Sequence, residues 1–150
     1  MFSRSAITPF LLLVVGGGLI IGLFTAPGPW YAELTKPSFN PPGWIFGPVW
    51  TVLYVLIAIA GWRVFQRDPS GPAMKLWWAQ LALNFAWSPV FFALHNIGLA
   101  LVIIVVLLAV ILAFIAVARR TDTVSAWLFV PYACWVGFAS VLNGAIWQLN

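Results

Sequence analysis

The chain has 150 residues, of which 63% are hydrophobic and 7% charged, with a formal net charge of +4 and a mean hydropathy of +1.03. Soluble globular domains carry about 25% charged residues, so that class is excluded and the chain reads as a membrane protein. A transmembrane helix takes about 20 apolar residues, and the length therefore accommodates about five spans in a single transmembrane domain, residues 1–150. The basic residues sit mainly at the edges of apolar runs, where orientation signals belong, which argues against a nucleic-acid partner.

The first uncharged run, 5–24, follows Arg4. It is longer than the 7–15 residues usual for the apolar part of a secretory signal, so it reads as the first spanning helix. Its Gly18-x-x-x-Gly22 spacing lets backbones approach closely, inside the bundle or between copies. A cap loop follows at 27–43, the longest interruption of the apolar pattern, with five prolines (Pro27, Pro29, Pro37, Pro41, Pro42) that exclude a regular helix across it. The second helix spans 44–65 and ends at a cluster of Arg63, Arg67, Asp68 and the Pro69–Pro72 turn. The third, 73–94, carries Gln80, Asn84 and Ser88, and Pro89 should kink it by removing a backbone bond. His95 and Asn96 turn the chain into the fourth helix, 98–118, which lacks polar side chains and reads as a lipid-facing scaffold. The fifth runs over 125–149. The expected fold is an all-α membrane bundle of five transmembrane helices with a long Pro/Trp-rich loop between helices 1 and 2.

With five spans, Arg4, Arg63, Arg67, Lys75, Arg119 and Arg120 share one side and Lys36 lies on the other. In a bacterial inner membrane the positive-inside rule then puts the N-terminus in the cytoplasm and the cap outside; an outer membrane is the alternative location. Cys134 stands in an apolar run as the chain's one cysteine, which excludes an intramolecular disulfide and suggests packing. His95 has no second ligand at metal spacing. Glu33, Asp68 and Asp122 all fall in loops, so no carboxylate pair is placed for acid–base catalysis or an intramembrane proton relay.

Polar side chains inside a span face the bundle interior. Gln80, Asn84, Trp87, Ser88 and Phe91 share one helical face, as do Pro131, Trp135, Phe138, Ala139 and Leu142 on the fifth helix, and Trp50 lies one turn from Tyr54. The chain direction puts Trp50, Trp87, Phe91 and Leu142 in the half of the membrane nearest the cap. A pocket is expected just beneath it, with aromatic walls and Asn84, Ser88 and Tyr54 as polar handles, suited to a flat, largely apolar ligand. Trp30, Trp44, Trp62, Trp77, Trp78, Trp127 and Trp147 lie near run ends, where an interfacial aromatic belt accounts for them. Trp50, Trp87 and Trp135 lie deeper, where ligand lining and core packing both suit them.

Three ordered blocks carry a family resemblance: Trp30-Tyr31, Leu34, Lys36-Pro37, Pro41-Pro42, Trp44 and Trp50; Gln80-Leu81, Asn84, Trp87, Pro89 and Phe91-Phe92; Pro131-Tyr132, Trp135, Ala139 and Leu142-Asn143. Together they resemble the translocator protein (TspO/MBR) family, also called tryptophan-rich sensory proteins or peripheral-type benzodiazepine receptors. The resemblance implies a five-helix bundle, commonly a homodimer, whose first long loop closes over a pocket for porphyrins such as protoporphyrin IX and for isoquinoline carboxamide and benzodiazepine ligands. By position it implies that Tyr31, Pro41, Trp50, Asn84, Trp87, Trp135, Ala139 and Leu142 line that pocket. It also likens Trp50 and Trp135 to residues implicated in light-dependent porphyrin breakdown. No cofactor is required; the porphyrin is a ligand. Animal members carry a proposed cholesterol motif at the end of the fifth helix, but Gly144 and Gln148 stand here in place of its tyrosine and basic residue, so the chain is of bacterial type. The expected function is porphyrin binding with a sensory, regulatory or transport role. Photo-oxidative porphyrin degradation and a purely structural role are the alternatives.

Overall fold

A computed structural model describes residues 6–150; Arg4 and Ser5, used above for orientation and the first helix boundary, lie outside the described residues. Among the described residues the regular structure is helical throughout, without a strand. Helix α1 is Ile7–Phe24, with a π-helical middle at Leu12–Gly16. The short α2, Pro29–Glu33, starts with proline in its first turn, where the missing N–H costs nothing. A 3-10 turn, Gly43–Ile45, leads into α3, Phe46–Arg67. Helix α4 is Pro72–Ser88 and continues as a π-helical turn, Pro89–Ala93. Helix α5 is Ile97–Ala118 and α6 is Thr123–Leu149.

Three sequence expectations change in detail. The cap loop holds the helical turn α2 between its prolines, and Lys36 closes that turn by donating from Nζ to the Tyr31 carbonyl at 2.7 Å. Pro89 produces a widened turn instead of a simple kink: with no N–H to bond back, the ladder shifts register, and Leu94 N donates to Pro89 O at 2.9 Å. The last helix breaks at Phe129 into Thr123–Leu128 and Val130–Leu149, because Pro131 supplies no N–H to close that turn.

Among the described residues four helices, namely α1, α3 with its 3-10 start, α5 and α6, are long and apolar enough to cross a membrane. Their buried stripes follow the helical period. In α3 the stripe is Leu53, Ile57, Ala60, Gly61 and Val64; in α5 it is Ala100, Ile104, Leu107, Ile111, Phe114 and Ala118. Thus α5 is no mere scaffold: one face packs between α4 and α6, and only the opposite face, with Leu99, Val102, Val105 and Leu112, is exposed. Helix α1 lies against α3 and α4, and the Thr123–Leu128 turn of α6 lies against α3. The helices therefore enclose an interior, and α3 and α6 part company along Val130–Leu149.

Two tight approaches set the geometry. A β-carbon on Gly18 would overlap the Tyr54 ring, and one on Gly61 would overlap the Trp77 indole, whereas Gly22 faces open space. The Gly18-x-x-x-Gly22 spacing thus serves a helix–ring contact inside the bundle at its first glycine. Trp77 is no belt residue: it is fully buried, and its Nε1 donates to Ile57 O at 2.9 Å. Trp44, Trp78, Trp127 and Trp147 are exposed. Cys134 is exposed rather than packed.

At the end of the bundle away from the cap loop, Asp122 fixes α3 to α6. Arg63 donates to it through Nε at 2.8 Å and Nη2 at 2.9 Å, Arg67 Nε approaches to 3.5 Å, and Ser125 Oγ donates to the same carboxylate. Burial alone would raise this carboxyl, but the bonds from Arg63 and Ser125 and the charges of both arginines outweigh it, leaving it below its ordinary value. From the sequence alone this acid falls in a loop with no partner in view.

Candidate ligand-binding site

The α4 face read from the sequence turns inward. Gln80, Asn84 and Phe91 are buried there, and the polar pair meets a residue absent from the predicted site. Tyr132 of α6, fully buried, donates from its hydroxyl to Gln80 Oε1 at 2.8 Å and accepts from Asn84 Nδ2 at 2.7 Å. Hydrocarbon offers no alternative partners, so this chain fixes the rotation of α4 against α6. One signal for Tyr132 was available: it stands at helical spacing from Val136 and Asn143, which are also buried.

Aromatic rings pack on the core that holds this polar centre. Trp50 lies 5.4 Å from the Tyr54 ring and 6.5 Å from that of Tyr132. Trp87, Trp135 and Ala139 pack on the same core. Nearer the cap loop, Phe91 and Leu142 anchor a second cluster that takes in Tyr31, Trp87 and Phe138, with Tyr31 6.1 Å and Trp87 5.1 Å from Phe91. Trp87 joins the two clusters, and its Nε1 donates to Asn143 Oδ1 at 3.0 Å. Ser88 is taken up by helix α1, its Oγ 2.6 Å from Thr25 Oγ1. Pro41 sits half-buried in the loop.

The cap loop is held down by packing and by one clasp. Phe39 meets Phe138 at 6.2 Å and Phe46 meets Trp135 at 5.7 Å. Asn150 Oδ1 accepts from Thr35 N at 3.0 Å while its Nδ2 donates to Thr35 O at 2.8 Å. Burial lifts the Tyr31 phenol above its ordinary value, partly offset by Asn40, so it stays neutral at physiological pH and keeps its proton. Trp30 stacks on His95 at 4.0 Å, and His95 holds a left-handed φ of 55° at the turn into α5.

On α6 the predicted face divides. Leu142 turns into the bundle, whereas Pro131, Trp135 and Phe138 border a groove of about 600 Å³ against Pro48, Val49, Val52 and Leu53 of α3, with Cys134 on its rim. Among the described residues two buried donors, Gln80 Nε2 and Trp135 Nε1, lack an acceptor. No group of three His, Cys, Asp or Glu that could hold a metal occurs among the described residues. The arrangement is equipped to hold flat apolar surface by stacking and burial, with a few neutral hydrogen-bonding groups for orientation.

The TspO/MBR family profile matches residues 10–148. A tryptophan-rich sensory protein of Cereibacter sphaeroides is 38% identical over 139 residues, covering 93% of this chain and 88% of the relative. The tryptophan-rich protein TspO of Chlorobaculum tepidum is 40% identical over 154 residues, covering 93% and 95%. The human translocator protein is 34% identical over 126 residues, covering 81% and 75%. On the extent of these matches, this chain belongs to the TspO/MBR family.

Proposed function

We propose that this membrane protein binds planar, largely apolar tetrapyrroles such as protoporphyrin IX, and drug-like ligands of similar shape, inside a five-span bundle beneath the loop at 27–43. In this reading α4 is the fifth span, the loop faces outward from a bacterial membrane, and the protein acts as a homodimer. Sensory and transport roles follow from what the relatives are called, tryptophan-rich sensory protein and translocator protein.

The observation that carries the proposal is the buried neutral polar chain Asn84–Tyr132–Gln80, with Trp50 in ring contact with Tyr132 and Tyr54 and Trp87 and Trp135 packed on the same core. Small-molecule sites are mostly apolar clefts with a few placed polar groups. Stacking and burial at about 25 cal/mol per Å² are enough for micromolar binding of a flat ligand after association costs. Equilibrium binding of protoporphyrin IX to Asn84→Leu and Trp87→Ala tests the placement: both should weaken affinity about tenfold or more, a loss of about 1.4 kcal/mol, and unchanged affinity in both refutes it.

A second reading has a specific observation behind it. Trp50 stands within ring contact of Tyr54 and Tyr132, an array able to relay electrons out of a photo-excited porphyrin: the macrocycle is the species oxidised, dissolved oxygen is the terminal electron acceptor, and each aromatic ring regains from the macrocycle the electron it gives up. Under this reading illumination bleaches bound porphyrin to a new product that Trp50→Phe and Trp135→Phe fail to form. Bleaching equal to that in empty detergent refutes it.

A further inference from the structure

We infer that planar ligands reach the proposed site sideways from the bilayer, through the seam between α3 and α6, with the Trp135 ring as its movable wall. The inference rests on the binding proposal and adds the route.

Three observations meet at this seam. First, α3 and α6 are held tightly at one end only. Arg63 and Ser125 both donate to Asp122 there, Ser125 Oγ lies 3.4 Å from Ala60 O, and the backbones run together at Thr123–Leu128 before diverging along Val130–Leu149. Pro131 and the break at Phe129 account for the change of course. Two rods fixed at one end leave a wedge at the other.

Second, the wedge is a groove of about 600 Å³ with an almost wholly apolar lining, bordered by Val49, Val52, Pro131, Cys134, Trp135 and Phe138. Val52 is 59% exposed, so the groove opens on the flank of the bundle that hydrocarbon would cover. It adjoins the proposed site, since Trp135 and Phe138 belong to both. Its occupant is therefore the site's own ligand class, planar and apolar enough to dissolve in the bilayer, rather than a peptide or a water-borne anion, for which the walls offer no charge.

Third, Trp135 is tethered differently from Trp77 and Trp87. The indole N–H of Trp77 is bonded to Ile57 O and that of Trp87 to Asn143, whereas Trp135 Nε1 is buried without an acceptor. Packing on the core and ring contacts with Phe46 and Phe138 hold that ring. Turning it aside breaks no hydrogen bond, opens the wall between groove and interior, and frees a donor for an acceptor on the incoming ligand. The cap loop, by contrast, is held by the Asn150–Thr35 clasp and the Phe39–Phe138 contact.

Cys134 on the rim is the chain's one cysteine and reports on the route without belonging to the site. A bulky aryl maleimide adds its alkene to the thiolate sulfur, the proton ending on the adjacent ring carbon with no leaving group, and so places an obstacle at the mouth. The full chain in lipid nanodiscs is labelled, and the rates of protoporphyrin IX association and dissociation are followed by tryptophan quenching in the dark. Labelling should slow both rates by about fivefold or more while the Kd stays within about twofold, because blocking a route acts equally in both directions. Cys134→Ser given the same reagent should keep unmodified rates, and Val52→Trp, which narrows the groove without any reagent, should slow association likewise. Association changed by less than about twofold in both the labelled protein and Val52→Trp overturns the inference and leaves the cap side as the route. A lack of saturable binding to the unlabelled protein is a separate result and refutes the binding proposal instead.

Discussion

Replacing Tyr132 with phenylalanine removes one oxygen atom from the centre of the bundle and leaves the ring packing intact. That oxygen holds two hydrogen bonds, from Asn84 Nδ2 at 2.7 Å and to Gln80 Oε1 at 2.8 Å. Between helices in a membrane such bonds average about 0.6 kcal/mol each, but both amides stay buried and Gln80 Nε2 already lacks a partner. Leaving a buried polar group unsatisfied costs about 1–3 kcal/mol, so a loss of about 2 kcal/mol is expected. Reversible unfolding in mixed micelles, followed by tryptophan fluorescence, measures it. A double-mutant cycle with Asn84→Leu should show a coupling of at least about 0.5 kcal/mol, since the two side chains share one bond. A loss below about 0.3 kcal/mol, or additivity within error, would mean that Asn84 and Gln80 find other partners and that the polar chain does not set the pairing of α4 with α6.

Gly61→Ala should cost about 1–3 kcal/mol, because the buried Trp77 ring in its way is fixed by its bond to Ile57 O; Gly22→Ala, facing open space, should be neutral or stabilising in the same unfolding assay. Asp122→Asn should cost about 1–3 kcal/mol, between the values for exposed and buried ion pairs, since Arg63 and Arg67 are partly exposed. The folded carboxyl lies below its ordinary value, so its contribution is complete above the ordinary carboxylate pKa near 3.8 and is lost as pH falls through the folded value. Acid unfolding curves of the parent and Asp122→Asn should therefore converge below about pH 4. Asn150→Ala releases both backbone groups of Thr35; the Thr35 amide should exchange with solvent about fivefold faster while core amides are unmoved, and an unchanged rate would refute the clasp.

Much of this arrangement is written in hydropathy and periodicity. The helix limits fall within a few residues of the expected ones because Pro72, the His95–Asn96 turn and the charged ends of α3 and α5 punctuate the apolar runs, and the inward turn of Gln80, Asn84 and Phe91 follows from their shared face. Side-chain partners were harder to read. Asp122 looks like a loop acid until the fold brings Arg63 and Arg67 to it from 59 and 55 positions earlier in the chain. Trp77 sits near a run end like a belt residue, and only the gap over Gly61 shows that its indole turns inward. Tyr132 was overlooked for a related reason: beside Pro131 and Trp135 the buried face of α6 reads as if rotated, and the break at Phe129 turns Tyr132 and Asn143 inward while Pro131 and Cys134 turn outward. The groove between α3 and α6 depends on the divergence of two helices, which no pattern within either one records.

A dark titration of the purified protein with protoporphyrin IX tests most directly the proposed porphyrin site walled by Trp50 and Trp135. Tryptophan fluorescence is followed in the parent, Trp50→Phe and Trp135→Phe. Saturable quenching at micromolar or lower concentration, weakened several-fold in both variants, is the predicted result. Quenching that never saturates and is the same in all three proteins would mean that the porphyrin merely partitions into the micelle, and would contradict the account.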